Sequence, residues 1–278
     1  MKDIILKLNR LTIIGKISLL IIISIIFIGI LSQYISPYPH NVPTGEALKS
    51  PSLNHLLGTD DLGIDLLSQM FYGAKISVTI GLFTALLAGI GGGILGIMSG
   101  YFGGIIDKII MRIIDIMLVL PDLPMMILLG AFFGPSIKNI IIVLALFSWT
   151  VPARVVRSKI ISMKREKYIL VAQSYGGGFI YLLKKHFLPG VLPILMVTVI
   201  KLTSKAIVAE AGLSFLGLGD PTSKSWGLIL NNAINFQGIY FTEYWKWWVI
   251  SPLVSITLLV LSISLISRDL EKILDDKL

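Results

Sequence analysis

The sequence predicts an all-α polytopic membrane protein with six transmembrane helices, and three observations carry that expectation. The 278-residue chain is 55% hydrophobic and only 14% charged, with a mean hydropathy of +0.85; a soluble domain carries about 25% charged residues. Its apolar residues fall in long runs of bilayer-spanning length, and no separate soluble region is visible. The net charge of +8 is concentrated beside those runs. That is the positive-inside pattern and not a nucleic-acid-binding face, so no nucleic-acid partner is expected.

The first span is expected at 14–35, after a tail of residues 1–13. It is longer than a signal-peptide core, and the segment Ser32-Gln-Tyr-Ile-Ser-Pro37 holds no small-x-small cleavage site, so it reads as a retained helix. Residues 36–75 form an external loop whose start is stiffened by Pro37, Pro39 and Pro43. The region 76–270 then holds five further spans, near 76–102, 106–133 (interrupted by Pro121 and Pro124), 137–156, 190–217 and 247–267. A short tail follows at 271–278.

Orientation follows from the basic flanks. The N-terminal tail carries Lys2, Lys7 and Arg10, with Lys16 at the start of the first span, and the connection between the fourth and fifth spans carries Arg154, Arg157, Lys159, Lys164, Arg165, Lys167, Lys184 and Lys185. The opposite loops hold only Lys49, Lys75, Lys138, Lys224 and Lys246. Both termini and the 154–186 connection are therefore expected in the cytoplasm, with the protein in the cell (inner or plasma) membrane and in contact with its lipid. Tyr240, Phe241, Tyr244, Trp245, Trp247 and Trp248 read as an interfacial belt where the sixth span enters the bilayer.

Within the second span, Gly89, Gly92, Gly93, Gly96 and Gly100 supply overlapping GxxxG spacings that let neighbouring backbones approach closely. They serve packing within the subunit or a subunit interface. Lys201, Lys205 and Glu210 fall inside the fifth span, where a charge costs about 2.5–3.5 kcal/mol. Lys201 and Lys205 share one helical face, and Glu210 points about 140° away from Lys205. Two readings stay open for these three groups: they line a hydrated pathway, or they pair between helices and snorkel. Arg112 and Asp115, three residues apart, are expected to form a local ion pair.

Several chemistries are excluded. There is no cysteine, and His40, His55 and His186 lie far apart, so no disulfide and no metal site is expected. The chain has no P-loop, no G-x-S-x-G and no H-E-x-x-H. No catalytic residue and no cofactor is expected, and the chain is not read as an enzyme.

Three blocks then carry a resemblance. Leu57-Gly-Thr-Asp-Asp-Leu-Gly-Ile-Asp65 opens a segment that runs to Gly73-Ala-Lys-Ile-Ser77. Tyr168-Ile-Leu-Val-Ala-Gln-Ser-Tyr-Gly-Gly-Gly178 lies between the fourth and fifth spans. Glu210-Ala-Gly-Leu-Ser-Phe-Leu-Gly-Leu-Gly219 leads on to Ser225-Trp-Gly227. Together, over residues 10–270, they resemble the permeases of dipeptide, oligopeptide and nickel ABC importers, and specifically the C-type partner of the permease pair. Residues Leu170 and Val171 stand where the family often has glutamate and alanine; Ala172 and Gly176 match.

The resemblance implies a cytoplasmic coupling helix between the fourth and fifth spans, in a coupling loop at 157–189, with Tyr168, Leu170, Ala172, Gly176, Gly177 and Gly178 as the ATPase-coupling residues. It implies a second permease as heterodimer partner, two ATP-binding subunits that hydrolyse the ATP, and an external solute-binding protein. The cargo would be a peptide, a nickel or other metal complex, or a related small solute. The rival reading is a secondary transporter independent of any ATPase, which calls for an internal repeat and a pair of discontinuous helices.

Overall fold

The computed structural model describes residues 11–275, so Lys2, Lys7 and Arg10 of the expected tail, and the last three residues, lie outside the described residues. Its principal helices are α1 (Ile13–Ile30), α2 (Leu66–Phe102), α3 (Gly104–Val119), α4 (Asp122–Phe133), α5 (Ile137–Ser148), α6 (Thr150–Lys164), α7 (Lys167–Ser174), α8 (Phe179–Phe215), α9 (Trp226–Asn235) and α10 (Ile250–Asp275). Among the described residues there is no strand, only an isolated bridge between Thr59 and Asp65.

Among the described residues, four helices are long and apolar enough to cross a membrane: α1, α2, α8, and α10 with the turn before it. The α3–α4 pair is bent by 92° and the α5–α6 pair by 41°, which gives up to six spans if each bent pair is one. The sharper bend has a local cause. Leu120 is extended (ψ 134°), as a residue before proline prefers, and Pro121 then starts α4.

The second apolar helix is longer than the sequence suggests. It begins at Leu66, ten residues inside the stretch expected as external loop, because Asp65 caps it by accepting from the Ser68 N–H at 2.8 Å. Its 37 residues reach about 55 Å, well beyond the roughly 30 Å of a hydrocarbon core. Gly103 (φ +64°) and Gly104 (φ +54°) end it and turn the chain into α3.

Helix α2 is the centre of the bundle and packs on α6, α8, α5 and α1. The glycines set how closely. Gly92, Gly96 and Gly100 face α6: a Cβ on Gly96 would lie 2.5 Å from the Ala153 carbonyl oxygen, and one on Gly100 2.8 Å from Ile160 Cβ. Gly89 and Gly93 face α8 instead, against Val199 and Leu195. Two contacts of different direction thus account for five of the six glycines in the twelve residues 89–100; the sixth, Gly91, has nothing within 4 Å of a Cβ.

Helix α8 carries Pro189 near its start. The turn before it, Leu183–Phe187, is widened to π geometry, and the Leu188 N–H bonds the Leu183 carbonyl. Such a turn relieves the register where proline withholds a donor. At the ends of the chain, Asp269 near the close of α10 accepts from the Thr12 N–H (3.1 Å) and hydroxyl (2.5 Å) at the start of α1. A side chain at Gly15 would collide with the Asp269 carboxylate.

The aromatic segment differs from the expected belt. Tyr240 and Phe241 are exposed, but Trp247 and Trp248 are buried in a cluster with Leu66, Met70, Ile207 and Trp226. The two indoles fill the core between α2, α9 and α10, which apolar patterning alone does not distinguish from an interfacial position.

Candidate functional site

The first and third sequence blocks meet at one end of the bundle. In the first block, Thr59, Asp60, Asp65, Ser68 and Gln69 are almost fully buried. Asp60 Oδ1 accepts from the Ile64 N–H (2.8 Å) and Oδ2 from Gln69 Nε2 (2.7 Å). Asp65 pairs with His55 Nδ1 at 2.9 Å through one oxygen and takes the Ser68 hydroxyl at 2.8 Å through the other. Nearly every buried carboxylate oxygen here has a donor, as burial requires.

The third block locks onto this one through Trp226. Its Nε1–H donates to the Met70 carbonyl at 2.9 Å, and its backbone N–H to Ser77 Oγ at 3.2 Å. Gly73 leaves the space the indole needs, since a Cβ there would sit 2.7 Å from Trp226 Cδ1. Glu210 belongs to the same lock. It is 1% exposed, Ser214 Oγ donates to its Oε1 at 2.7 Å, and its Oε2 has no hydrogen-bond partner among the described residues. The structure therefore separates Glu210 from Lys201 and Lys205, in keeping with the 140° between their directions on α8.

Lys201 and Lys205 lie on an open face. Lys201 pairs with Glu271 of α10, and Lys205 Nζ with Asp122 Oδ2 of α4 at 2.9 Å. A cavity of about 700 Å³ in front of them is lined by Val155, Lys159, Ile194, Thr198, Lys201 and Glu271 among others. Asp122 and Glu271 were not singled out from sequence. They lie 83 and 70 residues from their lysines, and no local spacing reports such a pairing.

Two more ion pairs tie α3 to α6. Arg157 grips Asp107 with two hydrogen bonds of 2.6 Å, and Ser99 Oγ also donates to that carboxylate. Asp115 takes Arg154 at 3.1 Å. This corrects the expected Arg112–Asp115 pair: the side chain of Asp115 reaches across to α6 and not along its own helix.

At the opposite end from Trp226, the stretch expected to hold a coupling helix is a helix–turn–helix. Helix α7 ends in a Schellman motif: Gly176 is left-handed (φ +83°), its N–H bonds the Gln173 carbonyl, and the Gly177 N–H bonds the Ala172 carbonyl at 2.9 Å. A Cβ on Gly177 would lie 2.6 Å from that same carbonyl. Gly178 is extended (ψ 173°) and has open space around it. Only Ile169 of α7 is buried, whereas Tyr168, Leu170, Val171 and Tyr175 are exposed. Tyr168, Ala172 and the three glycines share a groove of about 580 Å³ with Tyr181 and His186.

Among the described residues no group of three or more His, Asp or Glu side chains is placed to hold a metal ion.

Comparison with known proteins agrees with the blocks. Residues 92–278 match the family described as "Binding-protein-dependent transport system inner membrane component". The chain is 36% identical to the dipeptide transport system permease protein DppC of Alkalihalophilus pseudofirmus, over 98% of this chain and 88% of that one. It is 35% identical to the oligopeptide transport system permease protein OppC of Bacillus subtilis (97% and 87% covered). It is 34% identical to the glutathione transport system permease protein GsiD of Pectobacterium atrosepticum (93% and 85% covered). With a buried lock built from two of the blocks and a family match over most of its length, the chain belongs to the binding-protein-dependent transport system inner membrane components, as a multi-pass permease subunit.

Proposed function

We propose that this permease forms half of the translocation pathway of an ATP-driven importer in the cell membrane, and that its cargo is a peptide or a related small solute. Its relatives are named for dipeptide, oligopeptide and glutathione transport, which favours peptides over the nickel or metal complexes that the sequence left open. The observation that carries the reading is the open, charged face of α8: two half-exposed ion pairs in a helix otherwise apolar enough to span a bilayer. Charges at that depth call for water or a polar partner. A second permease facing this one supplies both, as the other wall of an aqueous path.

In this reading α7 and the Gly176–Gly178 turn are the coupling element, with Tyr168, Leu170, Ala172 and the three glycines as its working residues. A short helix held by a Schellman motif is rigid, and its exposed side chains are free to seat on an ATP-binding subunit. ATP binding by two such subunits then shifts the population between inward- and outward-facing states. The Thr12–Asp269 contact brings the start of α1 and the end of α10 to one side, which supports both termini lying in the cytoplasm with the basic 154–186 segment. An external solute-binding protein would deliver cargo to the Trp226 end. Gly89, Gly92, Gly93, Gly96 and Gly100 are assigned to packing within the subunit.

Co-purification and uptake test the proposal together. A tagged chain in mild detergent is expected to bring down a second permease and an ATP-binding subunit, and vesicles holding the complex are expected to take up peptide only with ATP. Uptake by this chain without any ATP-binding subunit would instead establish the secondary transporter.

A further inference from the structure

Lys201 and Lys205 stand one turn apart on α8, yet each is neutralised by a different helix. Glu271 of α10 takes the first and Asp122 of α4 the second. All four side chains keep between 40% and 53% of their surface exposed. A further cavity, of about 960 Å³, adjoins the first at Lys205 and is lined by Asp122, Ser204, Val208 and Gly212. The two spaces, each within or near the usual 300–1,000 Å³ of a small-ligand site, share Lys205 and are walled mainly by apolar side chains.

The charge arrangement selects among ligands. A half-exposed pair can exchange its partner for a ligand group of the same sign, because neither charge is sealed from water. A ligand with one charge would displace one protein group and leave it without a partner in a site of low polarity, which is costly. A ligand with both an ammonium and a carboxylate replaces both members and strands neither. Apolar walls between the pairs accept the uncharged body of such a ligand.

We propose that the Lys201–Glu271 and Lys205–Asp122 pairs form an exchangeable ion-pair site that reads the two charged ends of an unblocked short peptide. The lysines receive its carboxylate, and Glu271 and Asp122 its ammonium group. This assignment rests on the reading of the chain as an importer permease and adds the groups of the cargo that the permease itself recognises. A zwitterionic lipid headgroup shares this chemistry and is separated from the peptide by the test.

The test uses the assembled importer in vesicles. The chain has no cysteine, so Ser204→Cys places a single thiol in this subunit beside Lys201, whose carbonyl the Ser204 hydroxyl contacts at 2.8 Å. That thiol is expected to react with a polar, membrane-impermeant reagent and to be protected by a free dipeptide, but not by the same dipeptide acetylated and amidated at its ends. Uptake is then compared for the free, the N-acetylated and the C-amidated dipeptide with the binding protein unchanged.

Lys201→Gln and Lys205→Gln are expected to lower uptake of the free and acetylated forms about tenfold, the effect of one charge-assisted contact, and to spare the amide. Asp122→Asn and Glu271→Gln are expected to lower uptake of the free and amidated forms and to spare the acetylated one. Equal losses for all three peptides in every variant, or a thiol that no dipeptide protects, overturn the proposal in favour of a purely structural pairing or a lipid-filled site. Absence of ATP-dependent uptake by the unaltered complex overturns the importer reading itself and is recognised before any variant is made.

Discussion

At the Trp226 end, polar side chains face inward and satisfy one another: Asp60, Asp65, Ser68 and Gln69 are nearly all buried, and Trp226 spends both its N–H groups on the first block. At the Gly176 end the pattern is inverted. There, apolar and aromatic side chains point outward from a short helix, with Tyr175 89% exposed and Leu170 49%. One end is closed by its own hydrogen bonds; the other presents exposed side chains. The difference teaches that the strictest sequence pattern marks the internal lock, while the loosest marks the surface proposed to meet another protein. A buried donor tolerates few acceptors, whereas an exposed side chain answers only to its partner.

The comparison breaks most directly at Asp65. Asp65→Ala removes the cap of α2 and leaves both His55 Nδ1 and the Ser68 hydroxyl without their acceptor. We expect a loss of about 3 kcal/mol or more, seen as a lower thermal midpoint of the purified chain in detergent. Leu170→Ala at the other end is expected to stay within about 0.5 kcal/mol. Similar losses in the two variants would erase the contrast between the ends.

Gly96→Leu tests the packing between them. The new side chain meets the Ala153 carbonyl and Val156 Cβ, so α2 and α6 must part. Overpacking of this kind costs about 1–3 kcal/mol. Gly91→Leu is the control, since nothing lies within 4 Å of its Cβ position. Leucine is the better helix former at both positions, so thermal midpoints that change equally in the two variants would show that the close approach to α6 does not set the glycine spacing.

At the Gly176 end the expected effect on stability is smaller and the effect on function larger. Gly176→Leu forces a side chain into φ +83°, at about 1–2 kcal/mol, with open space around it. The fold is expected to persist while peptide transported per ATP hydrolysed falls. Full retained uptake by this variant would remove the turn from the coupling role.

Much of this architecture was legible in the sequence because its causes are local. Apolar runs mark the long helices, Pro121 marks the 92° bend, and the glycine spacing marks a close helix contact. What stayed hidden depends on contacts distant in sequence. Asp122 and Glu271 meet their lysines only once α4 and α10 are laid against α8. Asp115 likewise chose Arg154 over Arg112, three residues away, because α6 lies beside α3. The start of α2 was hidden for a different reason: Leu66–Lys75 is too polar to read as membrane, although Asp65 is a good cap.

The smallest expected effect lies in the loop between α1 and α2, beside the lock. His40 stacks on Tyr72 with ring centroids 3.7 Å apart. Burial first, then the positive charges of Lys224 and Lys75, hold its pKa below the ordinary 6.5. A histidine whose folded pKa is depressed binds its proton less readily when folded than when unfolded. Its contribution to stability is therefore complete above the unfolded value near 6.5 and is lost as pH falls through the lower folded value. His40→Gln removes this term and keeps a planar polar group against Tyr72. Unfolding midpoints measured from pH 8 to pH 5 are expected to fall less steeply below 6.5 in the variant than in the unaltered chain, and to run parallel above it. The carboxylates titrate in both proteins and cancel in the difference, so superimposable acid limbs would mean that protonating His40 does not loosen this end of the molecule.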